Sequence, residues 1–359
     1  MHLLSKSAGK LLACSATAAL LAFGSVSLAG AQELEEINVM TSNDQSCSPY
    51  PQIAADEFGF FAEEGLKVNL LPSETTVPYI AFLANGDADI AMLDAGMILQ
   101  GVNAGQPISA IYEAYQRAGD GMIVPADGPV QSMADLKGKT VGLASDRDQL
   151  TTTLGLSTVG LDISDVTTAV VGQPGPILVD SLTNGTIQAY AAANSEFAAL
   201  AATGFKIKNI TPVEVSSIPG NTFTVWGPTK EEKRGLFERF LRAWAKGQHV
   251  GVMDIKAVMA ACKKRIPEQW EIAGRGETVV ENSVNNTQLR RTVKYGELQK
   301  DVWEGIQPSY VKFGEIPKEI DVSTFLDYSF IDAANNFTTD EVKEAVKKWK
   351  DENKDALFN

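Results

Sequence analysis

Leu83-Ala84-Asn85-Gly86 leads into the small-residue run Ala88-Asp89-Ile90-Ala91-Met92, and the same outline returns 99 residues later. There Leu182-Thr183-Asn184-Gly185 precedes Ile187-Gln188-Ala189-Tyr190-Ala191. In both copies a helix ending in Asn-Gly gives way to a short strand, which is how an α/β unit turns back into its sheet. Two such units suggest two similar lobes, and the cleft between lobes is where small ligands are usually buried.

The surrounding pattern extends each copy into a parallel α/β unit. Strands are expected at 37–40, 68–71, 90–93 and 108–115, with helices at 53–61 and 76–84 between them. Gly119-Asp120-Gly121 is a flexible point suited to a crossing. Beyond it come strands at 140–144, 166–171 and 189–193, and helices at 149–159 and 177–182. A polar, proline-containing passage at 216–220 marks the return. The remainder is helical. Thr229 and Thr338 each open a capping-box pattern closed by Glu232 and Glu341. Phe237, Phe240, Leu241 and Trp244 then share one helix face, as do Val342, Ala345, Val346 and Trp349, so both tryptophans read as core. The fold class is α/β in two lobes, each a mostly parallel sheet flanked by helices, with a helical C-terminal part. Lobe one takes 32–118 and 221–359, and lobe two 119–220.

Residues 1–31 carry Lys6 and Lys10, an apolar stretch from Leu11 to Leu28, and Ala29-Gly30-Ala31, the small-x-small pattern of a cleaved signal peptide. Cleavage before Gln32 leaves 328 residues, comfortable for two cores. It shifts the net charge from −14 to −16, which argues against nucleic acid because phosphates need a basic surface. The mature chain is expected to be exported and soluble. Cys47 and Cys262 remain, 215 positions apart, and the sequence leaves open whether they bond or stay as buried thiols.

Motifs for catalysis are missing. Gly138-Lys139-Thr140 is not a phosphate loop, because Met133 stands where that pattern needs a glycine and the tripeptide enters a strand. No G-x-S-x-G, H-E-x-x-H, C-x-x-C or dinucleotide fingerprint occurs beyond residue 31, where His249 is the single histidine. Neither a metal nor another cofactor is expected, and no enzymatic activity.

Four stretches carry a family resemblance: Phe58-Gly59-Phe60-Phe61-Ala62-Glu63-Glu64-Gly65-Leu66-Lys67-Val68, residues 83–91, Asp135-Leu136-Lys137-Gly138-Lys139-Thr140-Val141-Gly142, and Leu182-Thr183-Asn184-Gly185. In order and spacing the chain resembles the periplasmic solute-binding proteins of ABC importers. It is most similar to the type II family that includes binders of sulfonates, taurine, nitrate and the thiamine pyrimidine precursor. The second copy departs from the family habit of acids before the strand, having Thr186 and Gln188 where the first has Asp87 and Asp89. The resemblance implies a two-lobed binding protein in the periplasm, a monomer, closing on a small-molecule solute. It also implies delivery to an inner-membrane ABC permease with its ATPase. Fungal pyrimidine-precursor synthases resemble the same family, but they need a histidine and a cysteine-rich segment that this chain lacks in matching context.

In open α/β sheets, ligands bind beyond the carboxyl ends of the strands. The candidates are therefore Asn43, Asp44, Asp94, Tyr112 and Glu113 in lobe one, and Ser145, Arg147, Thr151, Gln173, Asn194 and Glu196 in lobe two. Ser145 and Asp146 open a helix whose free N–H groups, with Arg147 as a charged fork, could hold an anion, or Asp146 could simply cap it. Tyr50, Tyr112 and Trp226 could wall an aromatic ligand. The candidate loops hold more acids than bases, so closing them on a bare anion would bury like charges. A nitrogen-bearing aromatic or heterocyclic solute is thus preferred, with a small organic anion such as a sulfonate, taurine or carboxylate as the alternative.

Overall fold

The computed structural model describes residues 34–41, 46–71, 79–287 and 294–357. The signal-peptide segment and the candidates Asn43 and Asp44 lie outside the described residues. Among those described, ten strands form two five-stranded sheets: β1 Glu35–Met40, β2 Leu66–Leu71, β3 Ile90–Leu93, β4 Ile108–Glu113, β5 Asp120–Pro125, β6 Thr140–Leu143, β7 Thr167–Val170, β8 Ala189–Ala193, β9 Ile207–Asn209 and β10 Thr222–Trp226. Helices of seven residues or more are α1 Tyr50–Glu57, α2 Tyr79–Asn85, α3 Ala95–Asn103, α4 Asp148–Ser157, α5 Pro176–Thr183 and α6 Asn194–Ala202. They continue as α7 Arg234–Met253, α8 Ile255–Arg265, α9 Arg275–Thr287, α10 Lys300–Lys312 and α11 Thr339–Glu352.

The first sheet runs β2-β1-β3-β10-β4 and the second β7-β6-β8-β5-β9. In each, three parallel strands are followed by one antiparallel strand, β10 or β5. The chain therefore crosses between sheets after β4 and returns after β9. The sequence repeat falls on equivalent places: β3 and β8 are the third strand of their sheets, each entered from a helix that ends at Asn-Gly. Gly86 and Gly185 take φ of 80° and 75°, the left-handed turn that a side chain would strain.

The departure within the repeat keeps its hydrogen bond. Asp89 Oδ2 accepts the N–H of Asn38 at 2.7 Å, and Gln188 Oε1 accepts the N–H of Thr140 at 2.8 Å. Both residues staple the third strand of a sheet to its parallel neighbour, β1 or β6. Asp89 additionally pairs with Lys233 at 2.6 Å, which gives the first copy a reason to be charged. These acids and amides are structural, at the strand ends opposite the cleft.

The larger core packs α1, α7 and α8 on the first sheet, with Phe223 edge-on to Trp244 at 4.7 Å and Trp349 edge-on to Phe58 at 5.2 Å. Trp244 and Trp349 are buried, as amphipathic spacing predicts. Of the two capping boxes only the second forms, at Thr338 and Glu341. Thr229 ends a 3-10 turn, its hydroxyl donates back to the Trp226 carbonyl, and α7 starts at Arg234. Among the described residues no helix is long and apolar enough to cross a membrane.

Candidate functional site

The carboxyl ends of the parallel strands of both sheets meet. Asp94 follows β3 and caps α3, its Oδ1 accepting the Met97 N–H at 2.8 Å. Its Oδ2 lies 3.7 Å from Arg147 Nη2, which follows β6, so this ion pair joins the two halves. Asn194, first residue of α6 after β8, donates its N–H to the Gly119 carbonyl at 2.7 Å and faces Asn286 of α9 at 3.5 Å. Thr151 stands half-buried in the first turn of α4.

A cavity of about 680 Å³ opens between these halves, a size suited to a small ligand. Gln173, Ser195 and Glu196 line it from loops and the α6 start after β7 and β8, and Ser46 from the loop after β1. Arg265, Glu268, Gln269 and Arg275 line it from the junction of α8 and α9. Two guanidiniums thus face two carboxylates. Arg265 is already spent on Asp56 and Glu57, and Gln269 Oε1 accepts the Cys47 N–H at 2.9 Å. Ser195 donates to Glu196 at 2.8 Å. Arg275, half-buried, makes no ion pair among the described residues, so it is the wall's uncommitted cation.

Beside the cavity lies an acidic group. Asp120 opens β5 opposite Ala193 and is exposed to solvent. Partial desolvation, with the carboxylates of Asp148, Asp94 and Glu196 nearby and Arg147 opposing them, pushes its carboxyl up to about 6. Burial likewise raises Asp148.

Several sequence-based expectations are corrected. The N–H and hydroxyl of Ser145 both donate to Asp148 Oδ2, at 2.7 and 2.9 Å, so the donors expected to cradle an anion are filled by the chain's own carboxylate. Tyr50 is fully buried, its hydroxyl bonded to the Gln248 carbonyl at 3.1 Å and to Thr287 at 2.9 Å. Tyr112 is equally buried against Gln248. Glu113 is buried too, accepting the Gln299 N–H, the Gln299 side-chain amide and the Trp303 indole N–H. Trp226 pairs with Ile108, the first residue of β4, which puts it at the end of the sheet away from the cleft because β10 runs antiparallel. Among the described residues no aromatic side chain lines the cavity. Of the candidate residues, Gln173 and Glu196 line it, and Asp94, Arg147 and Asn194 bridge its two sides.

Sequence reasoning misses the basic wall. The available signal is the break Arg265-Ile266-Pro267 between two helices, followed by Gly274-Arg275-Gly276, a polar junction within a part that reads only as helical.

Comparison with known proteins agrees with the fold. The model of the family described as NMT1/THI5 like matches residues 48–252. No curated protein matches. Among solved structures, the periplasmic aliphatic sulphonate binding protein SsuA from Escherichia coli is 13% identical at a TM-score of 0.63, covering 81% of this chain and 91% of that one. The alkanesulfonate-binding protein SsuA from Xanthomonas axonopodis pv. citri, bound to MOPS, is 14% identical at 0.61, with 83% and 99% covered. The desulfurization enzyme DSZB is 15% identical at 0.57, with 84% and 99% covered. These likenesses place the chain in the periplasmic binding protein fold.

Proposed function

The chain belongs to the NMT1/THI5-like family, and we propose that it is the substrate-binding component of an ABC importer, exported to the periplasm, closing as a monomer on a small organic anion. The observation that carries this reading is the cavity between the two sheets, where the uncommitted Arg275 stands among hydroxyls, amides and the carboxylates of Glu196 and Glu268, with no aromatic ring. A guanidinium presents planar paired donors that suit a sulfonate or carboxylate. The solved structures of sulfonate binders with the same fold support the same class. An aromatic nitrogen ligand would need flat walls, and Tyr50, Tyr112 and Trp226 lie elsewhere. The lobes of this binding protein are 32–118 with 221–359, and 119–220, with the permease and its ATPase as partners.

Binding without turnover fits the wall's chemistry. Among the described residues, Cys47 and Cys262 are fully buried, and both nitrogens of His249 are engaged by Tyr295 and Thr339. Neither a thiol nor an imidazole of those residues faces the cavity. The likeness to a desulfurization enzyme makes this worth testing directly.

A thermal-shift screen across alkanesulfonates, arylsulfinates, carboxylates and pyrimidines identifies the class, and titration calorimetry follows the best hit. At about 100 Kd of ligand the stabilisation is about 2.7 kcal/mol. Arg275→Ala should weaken an anion by about 1.5 to 3 kcal/mol, or roughly 10- to 150-fold. A pyrimidine hit unaffected by Arg275→Ala overturns the anion reading. Release of sulfite from an arylsulfinate overturns the non-enzymatic one.

A further inference from the structure

We propose that Gln269 is a positioning residue of the cavity, whose side-chain amide makes the Ser46 hydroxyl a hydrogen-bond donor to the solute. The inference rests on the anion-binding reading of the cavity and adds the residue that sets the polarity of its wall.

Gln269 stands in the 3-10 turn Pro267–Trp270 between α8 and α9, buried yet part of the cavity wall. Its Oε1 accepts the Cys47 N–H at 2.9 Å. A backbone N–H can only donate, so this contact fixes which end of the amide faces Cys47. The NH₂ end is left to donate to Ser46 Oγ, at 3.5 Å. The Ser48 N–H reaches the same oxygen at 3.2 Å. A hydroxyl has two lone pairs and one proton; with two N–H groups aimed at its oxygen, Ser46 has the proton left to offer. Ser48 Oγ, 3.1 Å away, is a neutral acceptor for it. A sulfonate or carboxylate oxygen is a charged acceptor and makes the stronger bond, so an anion in the cavity draws that proton to itself.

The second serine of the wall has the opposite polarity. Ser195 donates its proton to Glu196 at 2.8 Å, so it offers a solute lone pairs instead. Partners, and not residue type, decide which serine gives and which receives. The carboxylates of Glu196 and Glu268 also stand in the wall, so each donor there offsets like-charge repulsion when an anion enters. The loop carrying Ser46 is held from its other side too. The Ser48 carbonyl accepts the hydroxyls of Tyr115, at 2.9 Å, and of Ser283 on α9. Losing the Gln269 amide therefore frees the polarity of Ser46 while those two bonds still hold the loop.

Titration calorimetry of ethanesulfonate and of propionate into the wild type, Ser46→Ala, Gln269→Met and the double variant reads the coupling, with thermal melts confirming that each protein is folded. Each single change should weaken binding roughly 10-fold, the loss of one hydrogen bond to a charged group, and the double variant should bind no worse than the weaker single one. Gln269→Met combined with Arg275→Ala should instead lose the product of the two single effects, because the guanidinium donates independently; a general collapse of the wall would couple to both. Gln269→Glu keeps the acceptor for Cys47, but its carboxylate takes the Ser46 proton. It should weaken binding in the wild type and weaken it less beside Ser46→Ala, which decides the matter should Gln269→Met fail to fold. Losses at Ser46 and Gln269 that multiply, or a folded Gln269→Met that binds like the wild type, overturn the proposal and leave the anion reading in place. Binding of neither probe to the wild type overturns both.

Discussion

Glu113 offers a test of how a buried carboxylate is tolerated. It ends β4 with no solvent access, and three N–H groups converge on it: Oε1 accepts from the Gln299 backbone at 2.8 Å and Trp303 Nε1 at 2.9 Å, and Oε2 from Gln299 Nε2 at 2.8 Å. Burial outweighs these donors and pushes its carboxyl from 4.5 up to about 7. A folded-state value above the unfolded one means the native protein holds its proton more tightly. Stability is therefore undiminished below pH 4.5, falls as pH rises between 4.5 and about 7, and stays lowered above that. At about 1.4 kcal/mol for each pH unit of that window, the loss across it is about 3 kcal/mol. Glu113→Gln mimics the neutral acid, since rotating the Gln299 amide by half a turn presents its oxygen to the new NH₂ group while the new carbonyl keeps the other two donors. Urea titrations of both proteins from about pH 4 to 8 should show near-equal stability at the acid end and Glu113→Gln ahead by about 3 kcal/mol at the alkaline end. Subtracting the two profiles cancels groups common to both. Glu113→Ala should be worse at every pH, because three donors lose their acceptor at about 1 to 3 kcal/mol each. A wild-type minus Glu113→Gln difference that stays constant with pH would show that Glu113 does not titrate in this window.

Three further outcomes follow from contacts elsewhere. Arg147→Ala or Asp94→Asn should change stability by less than about 1 kcal/mol, because both side chains are solvent-accessible, yet enlarge the unliganded protein in small-angle scattering by releasing the link between the sheets. Gly247→Ala should destabilise by about 1 to 3 kcal/mol in thermal melts, since a Cβ there would collide with the Pro51 carbonyl oxygen where α7 crosses α1. Anion affinity should fall as pH rises through about 6, where Asp120 gains its charge beside Glu196, and calorimetry of Asp120→Asn should show that step flattened.

Legible in the sequence were the features that local chemistry fixes. Asn-Gly helix ends, alternating helix and strand periods and the amphipathic faces of Trp244 and Trp349 need only neighbouring residues to be read, and they specify the two α/β units and much of the core. Gln173 and Glu196 were reachable because parallel strands always present their following loops at one end of a sheet. Long-range packing settled the rest. Strand β10 enters the first sheet antiparallel from a distant part of the chain, and that direction alone carries Trp226 away from the cleft. Tyr50, Tyr112 and Glu113 occupy loop-adjacent positions in sequence, but α7 and α10 cover them, and no local pattern records which helix will cover a strand end. Whether Ser145 offers its N–H to a ligand depended on where Asp148 turned its carboxylate. Arg275 and Arg265 reached the cavity from the helical C-terminal part because α8 and α9 pack against the ends of both sheets, a contact between residues more than two hundred positions apart from Ser46. Charge and donor counts can be taken from a string of residues, but which of them remain unpaired is settled only when all their neighbours are in place.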